Sequence, residues 1–138
     1  MNVTVIDGQG GQLGAMLIKE LTSNFQSITI TAIGTNAVAT ATMLKAGANN
    51  AATGENPVIV ACRKSDVIIG PIGIVIADSL LGEITDKMAV AIGKSAAKRI
   101  LVPINRCENL VAGVPNLNTK VLIDDAVLKL RSIIDGNT

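Results

Sequence analysis

The residues Gly8-Gln9-Gly10-Gly11-Gln12-Leu13-Gly14 have the composition and the position of an anion-binding turn. They follow the β-branched run Val3-Thr4-Val5-Ile6 and open a segment with Leu13, Met16, Leu17 and Leu21 at helical spacing. Glycine tolerates positive φ and lets a ligand approach the backbone closely. The first N–H groups of a helix have no intrahelical acceptor, so a negative group is favoured there. Gly14, inside the helix, would let it pack tightly on the strand. The expectation is a phosphate-bearing ligand held by Asp7, Gly8, Gln9, Gly10, Gly11, Gln12 and Leu13.

Ligands of open α/β sheets gather outside the carboxyl ends of the strands. Three further segments are expected to converge there: Gly34-Thr35-Asn36, Gly70-Pro71-Ile72-Gly73, and Asn105-Arg106. Arg106 carries a fork suited to phosphate or carboxylate; a solvated loop arginine is the plain alternative. Thr53-Gly54-Glu55-Asn56, at a helix start, is a polar group that would fold over the site or simply cap a turn.

Groups for general acid–base work are few. The chain has no His, Tyr or Trp, which excludes a Ser-His-Asp triad and argues against zinc held by His and Cys. No G-x-x-x-x-G-K-[ST] segment is present, so a P-loop NTPase is excluded. Carboxylates, Lys and Cys remain for proton transfer, a Ser-Lys arrangement stays open, and one enzymatic reading names its residues. Asp7, at the tip of the first strand, stands where aspartyl-phosphate phosphatases keep their nucleophile, with Mg²⁺ offsetting the charge and Thr35 as the phosphate-binding hydroxyl. The second aspartate of that pattern, two residues on, is here Gln9.

Read as Gly8-x-x-Gly11-x-x-Gly14, the turn resembles that of the extended and atypical short-chain dehydrogenase/reductases, which implies NAD(P) binding by Gly8, Gly11 and Gly14. The departures are specific. Leu13 replaces the last glycine of G-x-G-x-x-G, and Asp7 would repel a pyrophosphate. Gly34-Thr35-Asn36 lacks the acidic residue expected for the ribose, and the Tyr-x-x-x-Lys pair cannot exist. A broader likeness lies in Ile6-Asp7-Gly8-Gln9-Gly10-Gly11, Gly34-Thr35-Asn36-Ala37, Met43-Leu44-Lys45-Ala46-Gly47-Ala48, Ala52-Thr53-Gly54-Glu55-Asn56 and Asp66-Val67-Ile68-Ile69-Gly70-Pro71-Ile72-Gly73. These segments resemble a family of short bacterial Rossmann-like proteins of unknown function, a likeness that supplies a relative and no role.

The elements that must position these residues alternate between β-branched runs and helical patterns. Strands are expected at Val3–Ile6, Ile28–Ile33, Val67–Ile69 (central, being apolar throughout), Ile100–Ile104 and Leu110–Val114. Helices are expected at 12–23, 36–46 with Asn36 as N-cap, 57–64 after Asn56-Pro57, 86–98 capped by Thr85 or Asp86, and from Thr119 onward. Ala48–Glu55 reads as a loop. The apolar segment 74–81 reads as a helix, with a strand allowed by period alone. This is an α/β, Rossmann-like three-layer α-β-α architecture, with a mainly parallel sheet of four to five strands in a single domain over 1–138.

Composition supports that reading. Apolar residues make up 49% of the chain with only one aromatic, Phe25, so the core is aliphatic, as strands covered on both faces require. Twelve basic against eleven acidic residues leave a net charge of +1, without the cationic clusters or stacking aromatics that nucleic acid demands. No run reaches the roughly 20 apolar residues of a membrane span. Met1-Asn2-Val3 enters a strand without a basic leader, and Cys62 and Cys107 read as reduced thiols, so a cytoplasmic location is expected. Ile72–Leu81 holds more apolar surface than one helix on such a sheet buries, which predicts a homodimer through that segment or the last helix. The function expected is a nucleotide-binding protein, with NAD(P) or another nucleotide as ligand, acting as a binding or regulatory module or an enzyme subunit. The alternatives are the Mg²⁺-dependent phosphate-ester enzyme and a non-catalytic homo-oligomeric subunit.

Overall fold

A computed structural model describes residues 1–104 and 108–137. In chain order the elements are β1 (Asn2–Asp7), α1 (Gln12–Asn24), β2 (Thr29–Gly34), α2 (Ala37–Lys45), β3 (Asn50–Thr53), α3 (Glu55–Lys64), β4 (Val67–Pro71), a 3₁₀ turn (Ile72–Val75), α4 (Asp86–Lys94), β5 (Lys98–Val102) and α5 (Thr119–Ile134). The five strands form one parallel sheet in the order β3-β2-β1-β4-β5. That order reverses between β1 and β4, where a doubly wound sheet opens its ligand crevice. The register aligns Asp7 with Gly34 and Gly34 with Thr53, so β1, β2 and β3 end level with one another.

Side chains alternate across the sheet with the two-residue period of a strand. Val3 and Val5 join Leu17, Ile18, Leu21, Met43, Ile123 and Leu130 in one core, beneath α1, α2 and α5. Ile6 and Ile68 join Val58, Ile74, Leu80, Ile84, Met88 and Ile92 in a second, beneath α3 and α4. β4 is buried at every position, as its unbroken apolar run requires. Asn36, Thr85 and Asn118 cap α2, α4 and α5 by accepting from the amides of Ala39, Met88 and Val121. The α/β fold expected from the sequence is the fold observed.

Three local expectations are corrected. Residues 74–81 are not a helix. After one 3₁₀ turn the chain doubles back through Asp78, Leu80, Leu81 and Gly82, all at positive φ. Its apolar side chains Ile74, Leu80 and Ile84 fill the second core instead of forming a helical face. Leu110–Val114 is not a strand; the fifth strand is Asn50–Thr53, within the segment read as a loop. It carries no β-branched apolar residue and is a strand because it pairs with the edge of β2. Finally, α4 stops at Lys94 and β5 begins at Lys98, both earlier than periodicity suggested.

Candidate functional site

The glycine turn is shaped from within by Asp7. The residue is buried, at 6% exposure. Oδ1 accepts from the amide of Gly8 at 2.8 Å and Oδ2 from the amide of Gly14 at 2.8 Å. Gly14 must lack a side chain, because a Cβ there would meet the Cβ of Asp7 at 2.9 Å and overlap the sulfur of Met43. Burial pushes the Asp7 carboxyl above the ordinary aspartate value; the two amide bonds oppose the shift, and the charge of Glu83 adds to it. Asp7 was expected to contact the ligand or to act as a magnesium-assisted nucleophile. In the structure each of its oxygens is engaged by the main chain, and it serves as the clasp that closes the turn onto α1.

Gly11 opens α1 at φ 74°, a left-handed conformation, and a Cβ there would strike the backbone of Ala39 at 2.8 Å. No side chain caps this helix. The amide of Gly11 donates to the carbonyl of Gly8 at 2.9 Å, so with Gly8 and Gly14 it is committed to the turn itself. Among the described residues, the amides of Gly10, Gln12 and Leu13 have no protein acceptor.

Over the outer side of the turn lies a carboxylate that no sequence motif announced. Glu83 Oε1 accepts three hydrogen bonds: from the amide of Gln9 at 2.9 Å, from Thr35 Oγ1 at 2.5 Å and from Asn36 Nδ2 at 2.8 Å. Asn36 does double duty, since its Oδ1 caps α2 and its Nδ2 also donates to the carbonyl of Gln9 at 2.9 Å. Burial pushes Glu83 up, but the bonds from Thr35, Gln9 and Asn36 outweigh it, so its carboxyl sits below the ordinary glutamate value. One oxygen surrounded by neutral donors is the environment of an oxyanion. The chain fills it with its own glutamate.

Glu83 is delivered by the strap 76–84, which crosses the crevice between β1 and β4. Leu80, 4% exposed, packs where a Cβ on Gly8 would be, and Ser79 lies against Gly73, whose carbonyl accepts from the Ser79 hydroxyl. The strap is closed on itself by Asp78 N–H to the Ile84 carbonyl at 2.8 Å and Ile84 N–H to the Ser79 carbonyl at 3.2 Å. The switch point of the sheet is thus occupied by protein. This is where the apolar surplus of Ile72–Leu81 goes: it covers strand ends inside the chain, and Leu81 is the large apolar side chain it leaves in solvent, at 93% exposure.

The expected segments therefore divide. Asp7–Leu13, Gly34, Thr35 and Asn36 come together. Gly34 is fully packed, its missing Cβ being the space taken by the Thr40 side chain and backbone. Gly70 and Pro71 belong to β4 itself, and Gly70 lies directly against the carbonyl of Ile6. Ile72 turns to the other side and lines an apolar cavity of about 300 Å³ with Val102, Val114, Leu122 and Ala126. Arg106, with Asn105 and Cys107, lies outside the described residues. Thr53 bonds to Thr40 and Glu55 accepts from Thr85, so that group braces the strand ends without reaching the turn. Glu83 escaped sequence analysis because a lone acid beside Gly82 carries no spacing signal; only the path of the strap brings it within reach of Gln9.

A family model described as "Domain of unknown function (DUF3842)" matches residues 2–135. The chain belongs to this DUF3842 family. The likeness to an uncharacterised family, carried by the segments quoted above, is thereby shown, and the family's description assigns no activity. No curated protein matches the chain. Among solved structures, the chain is similar to a dodecameric FMN-dependent UbiX-like decarboxylase from Escherichia coli O157:H7. The TM-score is 0.47 at 19% identity, covering 95% of this chain and 75% of the other. No helix among the described residues is long and apolar enough to cross a membrane.

Proposed function

We propose that this protein binds a phosphate-bearing ligand of the nucleotide type at the carboxyl edge of β1 and β2. It acts there as a binding or regulatory domain or as the subunit of an enzyme. The observation that carries the reading is the convergence of Gln9 N–H, Thr35 Oγ1 and Asn36 Nδ2 on a single carboxylate oxygen. Beside it lie the uncommitted amides of Gly10, Gln12 and Leu13 at the positive end of α1. Together they offer donors for more than one phosphate oxygen. Asn36 stands where a ribose-binding acid would be, which favours a mononucleotide or a phosphorylated metabolite over NAD. The whole of residues 1–138 is taken to work as one domain.

Isothermal titration of the full chain against NAD(P)(H), FMN, FAD, ATP, GTP and the nucleoside monophosphates tests this. Saturable binding of at least one ligand is expected, with amide chemical-shift changes at Gln9, Gly10 and Gln12. Silence across the panel removes the nucleotide reading. Self-association is a separate proposal, favoured by the exposed Leu81 and by Val121 and Leu128 on α5. Light scattering showing a monomer at high micromolar concentration would refute it.

A further inference from the structure

We infer that Glu83 is a built-in competitor for the anion site, so that ligand binds by displacing this carboxylate from Gln9, Thr35 and Asn36. The inference rests on the reading above and adds the regulation of that site. The three donors are neutral, and among the described residues the only ion pairs are Lys120–Asp124 and Lys129–Asp125, both on α5. Among the described residues no Lys or Arg pairs with Glu83, and two negative charges at contact distance without such a partner repel strongly. Phosphate and the Glu83 carboxylate must alternate at these donors.

The surroundings allow the exchange. Glu83 is only partly buried, whereas its neighbours Leu80 and Ile84 are anchored in the second core at 4% and 0% exposure. The side chain can swing into solvent while the main chain of the strap stays in place. The strap also spends conformational energy to present this residue: Asp78, Leu80 and Leu81, none of them glycine, lie at φ 66°, 55° and 56°. L-residues avoid that region, and such conformations persist only where the rest of the fold imposes them. A competitor held this way lowers the apparent affinity by the fraction of time the site is closed. The ligand that opens it must present at least one phosphoryl oxygen to the Oε1 position and others toward Gly10, Gln12 and Leu13, as a diphosphate does.

Inorganic pyrophosphate is the probe, titrated into the full chain with the amide signals of Gln9 and Gly10 as readout. Glu83→Ala is expected to tighten binding at least tenfold over wild type, and Thr35→Val in the Glu83→Ala background to reverse most of that gain. Glu83→Gln, which keeps the shape and loses the charge, is expected to shift affinity in the same direction by a smaller factor; it carries the test if the alanine variant does not fold. Equal affinity in wild type and both Glu83 variants would overturn the competition while leaving an anion site. Absence of binding in every variant would overturn the site itself.

Discussion

The carboxylate of Asp7 and the amide of Gly14 are joined at 2.8 Å across one strand end, one turn and the first residues of a helix. This bond fixes where α1 begins, and with it where the amides of Gly10, Gln12 and Leu13 point. The turn is closed on its inner side by Asp7 and bonded on its outer side to Glu83. The consequences can be measured residue by residue.

Gly11→Ala is expected to be the most damaging of the turn substitutions. A Cβ would meet the Cα and carbonyl oxygen of Ala39 at 2.8 Å, and φ 74° is unfavourable for alanine. Backbone cannot give way as a flexible side chain can, so a loss of about 2–4 kcal/mol is expected. Urea denaturation should show a lower midpoint with an unchanged slope.

Gly14→Ala is expected to cost less, about 1–2 kcal/mol, because overpacking outweighs the helix propensity gained. The overlap is with Met43 and with the Cβ of Asp7. Met43→Ala alone would open a cavity, yet in combination with Gly14→Ala it should recover part of the loss. A double-mutant cycle showing strict additivity would contradict this geometry.

Leu81→Gly is expected to stabilise the protein by about 0.5–1 kcal/mol. Leu81 is 93% exposed at φ 56°, so little packing is lost and left-handed strain is relieved. The relief, roughly 1–2 kcal/mol, exceeds the entropic penalty of glycine, about 0.5–1 kcal/mol. A fall in melting temperature would show that Leu81 is held by contacts beyond this chain's own fold.

The two acids titrate with opposite effects on stability. Burial raises the Asp7 carboxyl, so its contribution is fully present below the unfolded aspartate value, about 3.9, and is lost as pH rises through its folded value. Thr35, Gln9 and Asn36 hold Glu83 down against the effect of burial. Its contribution is present above the unfolded glutamate value, about 4.3, and is lost as pH falls through its folded value. The stability difference between wild type and Glu83→Gln should therefore shrink on acidification. Because the charge of Glu83 helps raise Asp7, the same substitution should lower the Asp7 midpoint, read from carboxyl ¹³C shifts.

Local sequence was decisive wherever a residue's conformation depends on its near neighbours. Alternating Val3-Thr4-Val5-Ile6, the apolar Val67-Ile68-Ile69, the caps Asn36 and Thr85, and the periodic stripe Ile123, Val127 and Leu130 each specify their element through side-chain period or a bond a few residues away. The glycines at 8, 11 and 14 likewise announce a turn of close packing. What the sequence could not contain is the outcome of long-range competition. Asn50–Thr53 is a strand only because the edge of β2 is there to pair with it. Residues 76–84 depart from a helical path, and it is Leu80 and Ile84 that join the second core. The path that carries Glu83 to Gln9, seventy-four residues earlier, follows from that burial. Tertiary structure therefore decided which donors at the glycine turn are spent and which stay open, since hydrogen bonds between distant residues exist only once the cores on both faces of the sheet have formed.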